Sequence, residues 1–271
     1  MNMPNVISIS KDPATFSKQF SVCTIVNDAD EYALMQQTFI QNGFDADCEY
    51  LIADNTKGNQ FDAYEAINHF IKKAIGKYII IVHQDVRVID NKVKLIDCLN
   101  ELEDFDKNWA VCGNAGGVAY HENILYLIEG DTETLTKEKL PKRVRTLDEN
   151  FLIIKSDAAL SVSLDLEGFH LYGTDICLLA QIKGYGCYVI PFLVQHISKG
   201  NLKHLADYEH EFIETYGHKL DFGFIQTTCT RFYLSNSFKK NRFFNHPIVF
   251  FFVKRLYATK RAINKILKKD S

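Results

Sequence analysis

Apolar and polar positions recur along this chain at two periods, and the switching between them divides its first half into strands and helices. Val22-Cys23-Thr24-Ile25-Val26 is a strand that ends in Asn27-Asp28. A helical pattern follows over 30–42, with acidic residues in its first turn and Gly43 as a stop. Glu49-Tyr50-Leu51-Ile52-Ala53 is a second strand, ending in Asp54-Asn55. Residues 61–75 are apolar at 63, 66, 67, 70, 71 and 74, one face of a helix closed by Gly76. The next run, Tyr78-Ile79-Ile80-Ile81-Val82, is apolar at every position and so reads as a strand buried on both faces. It stops abruptly at His83-Gln84-Asp85. A helix over 92–102 and a strand from Trp109 to Cys112 continue an alternation that predicts right-handed βαβ units and a parallel sheet.

The second half is less regular. Strands are expected at 124–128, 151–154 and 188–190, a polar loop at 130–143, and helices at 176–182 and 203–216. Before the first strand, Val6-Ile7-Ser8-Ile9 is a short apolar patch and Asp12-Pro13 a turn. There are no internal repeats and no low-complexity linker, so the simplest division is a single domain over 1–217 and a C-terminal extension over 218–271.

Composition narrows the picture. At 271 residues and 46% hydrophobic, the chain can bury a full core. Its 7 cysteines are scattered, form no C-x-x-C pair and mostly sit in apolar runs, which suits core residues in a reducing compartment. No basic-then-apolar leader opens the chain and no apolar run approaches a membrane span, so the expected location is cytoplasmic. Charge is uneven. From Lys239 onward there are 10 Lys/Arg and one acid, Asp270, leaving 21 basic and 33 acidic residues before it. An acidic body with a basic tail asks for an anionic surface at one end. The same acidic body argues against nucleic acid as a partner.

The chemistry concentrates at strand ends. Strand tips in a parallel sheet share one edge, so Asn27-Asp28, Asp54-Asn55 and His83/Asp85 should converge on a pocket there. His83 and Asp85 are metal-capable groups at such a tip, although loop residues capping the next helix would look the same.

In this order the motifs resemble the GT-A-fold, family 2-like glycosyltransferases, specifically the bacterial subgroup with His-Gln-Asp-Val where others carry Asp-x-Asp. The matching elements are Cys23 to Asp28; Asp54-Asn55 with Asn68 one helix later; His83-Gln84-Asp85-Val86; Leu147-Asp148-Glu149; Gly168 to Asp175; and His196-Ile197-Ser198-Lys199-Gly200, spanning 21–200. The resemblance implies an α/β, Rossmann-like nucleotide-sugar-binding fold with a mostly parallel central sheet and a C-terminal helical extension.

It also implies transfer of a sugar from a nucleotide-diphosphate donor, a UDP-sugar first, to a saccharide or lipid-linked hydroxyl, with inversion, in bacterial surface polysaccharide or glycolipid synthesis. A divalent cation would stabilise the leaving diphosphate. Its implied ligands are Asp85 and His196, with His83 facing the same site; this mixed donor set favours Mn²⁺ over Mg²⁺. Thr24, Asn27, Asp28, Asp54, Asn55, Asn68, His83, Gln84 and Asp85 would line the nucleotide-sugar site. Asp175 falls at the catalytic base, with Asp148 and Glu149 in reserve. Asp175 also reads as the N-cap of the helix after it. The departure from the family pattern is Gly173-Thr174, where an acidic residue often precedes the final Asp.

Two other readings use the same residues. A nucleotide-sugar-binding relative without a base would keep the pocket and lose turnover. His83-x-Asp85 with a distant His196 is also the donor set of a two-His-one-carboxylate iron oxygenase, though those enzymes are built on double-sheet β-rolls. Outside the resemblance, 247–269 reads as a basic amphipathic helix, with Val249, Phe252, Val253, Leu256, Ile263 and Leu267 on one face. Such a helix suits peripheral contact with the inner face of the cell membrane, or packing on its own domain with a solvated lysine face.

Overall fold

The structure is a computed structural model that describes residues 15–119, 122–198, 200 and 202–267, with 119 and 261–267 described in backbone only. The patch Val6-Ile7-Ser8-Ile9, the turn Asp12-Pro13, Lys199, Lys268 and Lys269 lie outside the described residues, as do the side chains of Ile263 and Leu267.

The chain begins β1 (Lys18–Val26), α1 (Ala29–Gln41), β2 (Cys48–Asp54), α2 (Ala63–Lys73), β3 (Gly76–Val82), β4 (Val86–Val88), α3 (Lys92–Phe105) and β5 (Trp109–Gly113). A run of strands follows: β6 (Ala115–Ala119), β7 (Glu122–Glu129), β8 (Thr132–Leu135), β9 (Lys142–Val144), β10 (Thr146–Leu147) and β11 (Phe151–Lys155). After α4 (Tyr172–Ile182) come β12 (Gly186–Val189), β13 (Val194–His196), α5 (Leu205–Tyr216), β14 (Gly223–Gln226), β15 (Arg231–Leu234), α6 (Phe238–Phe244) and α7 (Pro247–Leu267).

The result is a mixed α/β fold. The main sheet has seven strands in the order β2-β1-β3-β11-β5-β12-β9. β3 lies inside it, between β1 and β11, as its unbroken apolar run requires. Ile79 and Ile81 enter one core with Ile67 and Phe70 of α2 and Ile176 of α4. Ile80 and Val82 enter the other, with Phe39 of α1 and Leu95 and Leu99 of α3. Burying each such side chain contributes about 1.5–3 kcal/mol.

The expectation of a mostly parallel sheet needs correcting. β2, β1 and β3 are mutually parallel and β12 is parallel to β5, but β11 is antiparallel to both β3 and β5, and β9 is antiparallel to β12. A parallel neighbour needs a crossover, usually a helix, whereas the chain runs from β5 to β11 through strands β6 to β10 with no helix between them. β11 therefore enters the sheet in the opposite direction.

Other departures are local. Gly76 begins β3 instead of ending α2, and a Cβ there would stand 2.5 Å from the Ser21 amide nitrogen on β1. The loop expected at 130–143 contains β8, which pairs with β7. The segment after 217, assigned from sequence to an extension, contributes Ile225, Phe232 and Leu234 to the core shared with α2 and α4. Gly117 makes that docking possible, because a Cβ there would lie 1.9 Å from the Gln226 carbonyl oxygen. No described helix is long and apolar enough to cross a membrane.

Candidate metal centre

β3 runs out at Val82, and the next three residues turn the chain into β4 through a hydrogen bond from the Val86 amide to the His83 carbonyl, 3.2 Å. β4 pairs antiparallel with β13, setting His196 opposite Val86. The Ile197 amide donates to the Asp85 carbonyl at 3.0 Å, so the backbone holds the two segments together beside their side chains. His83, Asp85 and His196 consequently present one ligand atom each, all within 4.8 Å of one another. Among the described residues no other such group of metal-capable side chains occurs.

Nε2 of His196 is 3.4 Å from Oδ1 of Asp85 and is buried without a hydrogen-bond partner. The two imidazole centroids are 5.6 Å apart. His83 Nε2 lies 2.8 Å from the Tyr172 hydroxyl, which donates to the Glu149 carbonyl at 3.2 Å. A phenol has one proton, so with that proton on the carbonyl the imidazole must donate from Nε2. Nδ1 of His83 is then the lone pair left for a cation.

The charges of His83 and Asp85 fit this arrangement. Burial lowers the His83 pKa first, and the neighbouring His196 lowers it further, keeping the ring neutral. Burial acts against the Asp85 carboxylate, yet His196 and the Ser198 hydroxyl beside it outweigh that effect and hold it well below the usual range. For His196 burial again opposes the charged form, and Asp85 overrides it to raise the pKa. Two imidazoles and one ionised carboxylate, with a buried orphan nitrogen among them, form a donor set suited to a first-row divalent cation.

The second group of acids reaches the same edge because β11 is antiparallel. Phe151 pairs with Val82, and the His83 amide donates to the Asn150 carbonyl at 3.1 Å, so the start of β11 abuts the end of β3. Asp148 and Glu149 are half-buried at that start. Asp148 accepts from the Asn150 amide at 3.0 Å and from the Thr228 hydroxyl in the β14–β15 turn. Its charge acts on both His83 and His196. Burial, then the charge of Asp148, pushes Glu149 up to about 8, against hydrogen bonds from the Leu171 and Gly173 amides. Glu149 thus caps α4, whose residue 171 offers no side-chain cap. Gly173 must be glycine, since a Cβ would come within 2.6 Å of the Leu147 carbonyl oxygen.

Asp175 sits elsewhere. It lies inside the first turn of α4, not at its N-cap, and is 0% exposed. Its carboxylate accepts from the Ser163 amide at 2.7 Å, the Ser163 hydroxyl at 2.8 Å and the Tyr216 hydroxyl. Burial raises its pKa, and those hydrogen bonds oppose the rise.

The β1 and β3 tips do meet. Gln84 Oε1 accepts from the Asn27 and Asp28 amides at 2.9 and 3.0 Å, and its amide group donates to the Asn27 side chain. Asp28 caps α1 through the Asp30 and Glu31 amides. Asp54 is exposed and bonds Thr56, which lowers its pKa, while Asn55 is buried and closes its own loop onto Gln60 and Phe61. Asn68 makes a two-way bond with the Val162 backbone, 3.1 Å each way. Thr24 is buried in β1 and its hydroxyl has no partner among the described residues. Tyr172, Asn150 and Thr228 were not singled out from sequence. Tyr172 lies within the Gly168-to-Asp175 motif, and that membership was its only signal.

No protein-family model matches the chain. Two solved structures show a weak likeness: A197 from STIV, 13% identical with a TM-score of 0.39 over 64% of this chain and 83% of that one, and S. aureus TarS, 11% identical with a TM-score of 0.44 over 67% and 36%. Scores this low bear on no activity. The sequence comparison is stronger. The protein named ATP synthase subunits region ORF 6, from Fuscovulum blasticum, is 32% identical over 197 residues, covering 70% of this chain and 78% of that protein. Its name describes a gene region. The chain belongs to the family of that ATP synthase subunits region ORF 6 protein.

Proposed function

We propose that this chain is a metal-dependent glycosyltransferase of GT-A type, moving a sugar from a nucleotide-diphosphate donor to a hydroxyl acceptor. The observation that carries the reading is the cluster of His83, Asp85 and His196 at the rim of an α/β sheet, with the acids Asp148 and Glu149 beside it. Binding at the strand-end rim is what open α/β sheets do. A first-row cation such as Mn²⁺, bound there, would stabilise the charge that builds on a departing diphosphate.

The remaining work falls to the chain's own side chains. Asp85 and His196, whose ligand atoms are 3.4 Å apart, would hold the cation, and Tyr172 fixes the ring of His83. Gln84 locks the β1 tip against the β3 tip, leaving Asn27 and Asp28 to border the nucleoside. For the proton of the attacking hydroxyl the half-buried Glu149 suits better than the fully enclosed Asp175, because a base must reach its substrate. Its pKa near neutrality serves both taking and releasing that proton. Inversion and a UDP-sugar donor belong to this reading, as does a saccharide or lipid-linked acceptor.

A thermal-shift screen of UDP, GDP, dTDP and CMP with and without Mn²⁺ tests it. One nucleoside diphosphate should raise the melting temperature only when Mn²⁺ is present, and Asp85→Ala should abolish the shift. A cation response with no nucleotide response, together with bound iron and oxoacid-dependent turnover, would instead favour the oxygenase reading of the same three ligands.

A further inference from the structure

We infer that α7 docks in the plane of an anionic lipid surface, through a ridge of exposed apolar side chains bordered by cations. The inference stands apart from the transfer reading, since none of its residues belongs to the metal centre. Ile248, Phe252 and Leu256 follow one another at i, i+4 and i+8, which stacks them along one side of the helix. They are 63%, 61% and 70% exposed. A globular helix ordinarily turns such a stripe inward.

This helix has another face inward. Phe250 and Tyr257, seven residues apart, both stand against the ring of Phe224 on β14, at centroid distances of 6.2 and 6.0 Å. That side seats α7 on the hairpin, so the Ile248–Phe252–Leu256 ridge is turned away from the body. Phe251 is also exposed, with the Arg255 guanidinium 4.9 Å from its ring centroid.

Charge decides what covers the ridge. Arg255 and Lys260 are exposed on α7, one to each side of the ridge, and Lys239, Lys240 and Arg242 are exposed on the adjoining α6. No acidic residue occurs between Lys239 and Lys260. A second copy would bring the same cations face to face, which is repulsive; a neutral apolar partner would leave them without counter-charge. A surface of anionic headgroups over acyl chains satisfies both features, with the ridge entering the apolar boundary and the flanking cations meeting phosphate. The helix is too polar to cross, in line with an in-plane position.

Vesicle flotation of the full chain tests this without donor or metal. The protein should float with vesicles of phosphatidylcholine mixed with phosphatidylglycerol and stay behind with phosphatidylcholine alone. Phe252→Glu with Leu256→Glu should abolish flotation while the melting temperature holds, because both side chains are exposed. Arg255→Glu with Lys260→Glu leaves the ridge intact and should weaken binding at least about tenfold, each basic residue near the surface being worth roughly fivefold. Equal flotation with neutral vesicles, or none with either, overturns the proposal. So does a dimer in light scattering that Leu256→Glu dissociates, which would assign the ridge to a second copy.

Discussion

The hydroxyl of Tyr172 stands 2.8 Å from Nε2 of His83 and donates a hydrogen bond to the carbonyl of Glu149, so one phenol joins the histidine side of the site to the acid side. Tyr172 is otherwise buried and packs edge-on against Tyr64. Tyr172→Phe keeps the ring and removes only the link. Stability should fall by about 1 kcal/mol, while Mn²⁺ affinity falls roughly 10- to 100-fold as the His83 ring loses its orientation. Calorimetric titration of Mn²⁺ into both proteins checks this; equal affinities would remove Tyr172 from the centre.

Asp85 is the ionised member of the cluster. Asp85→Ala should eliminate metal-dependent nucleotide binding and return the His196 pKa toward its ordinary value, since Asp85 is what raises it. NMR titration of the imidazole reads the second effect with no ligand present.

Glu149 carries the pH dependence. Its folded-state pKa, about 8, lies above that of the unfolded chain, so the folded protein holds a proton that the unfolded chain gives up. The sign follows: the stability that Glu149 contributes is fully present below the ordinary carboxylate range and is lost as pH rises through about 8. Glu149→Gln should flatten that decline, leaving the variant on the order of 2 kcal/mol more stable than wild type at alkaline pH. Turnover should drop at least about 100-fold, with nucleotide binding retained. Denaturant unfolding across the pH range, beside a transfer assay, separates the two effects.

Asp175 should behave as a structural hub. Asp175→Ala removes the shared acceptor of the Ser163 amide, the Ser163 hydroxyl and the Tyr216 hydroxyl and should cost about 2–4 kcal/mol. Asp175→Asn should retain turnover in proportion to the folded fraction. A variant with wild-type melting temperature and no turnover would hand the base role back to Asp175.

Gly117→Ala places a methyl group against the Gln226 carbonyl and should loosen the β14–β15 hairpin at a cost of about 1–3 kcal/mol. Faster amide exchange across 223–234 reports the loosening directly.

The parts of this architecture legible in the sequence are those that periodicity encodes. The β1-α1-β2-α2-β3-α3-β5 succession, the capping role of Asp28 and the polar tips of β1 and β3 all follow from local pattern. The direction of β11 does not. Phe151-Leu152-Ile153-Ile154 is apolar throughout and reads the same either way, so only the missing crossover helix could have revealed its turn. β4 and β13, three residues each, are too short for any period to register, yet they bring His196 to Asp85. Motif position favours Asp175 over Glu149, and residue type carries no information on which carboxylate is enclosed.

The reversed strand also has a bearing on how such a site can diversify. His83 and Asp85 hang from the outgoing end of one strand, while Asp148 and Glu149 hang from the incoming end of its neighbour. Each side of the site is therefore the terminus of a different loop, free to be rewritten by insertion or exchange without redrawing the other. Chimeras that trade 145–150 and the 227–230 turn between relatives should inherit new acceptor preferences on an unchanged cation corner.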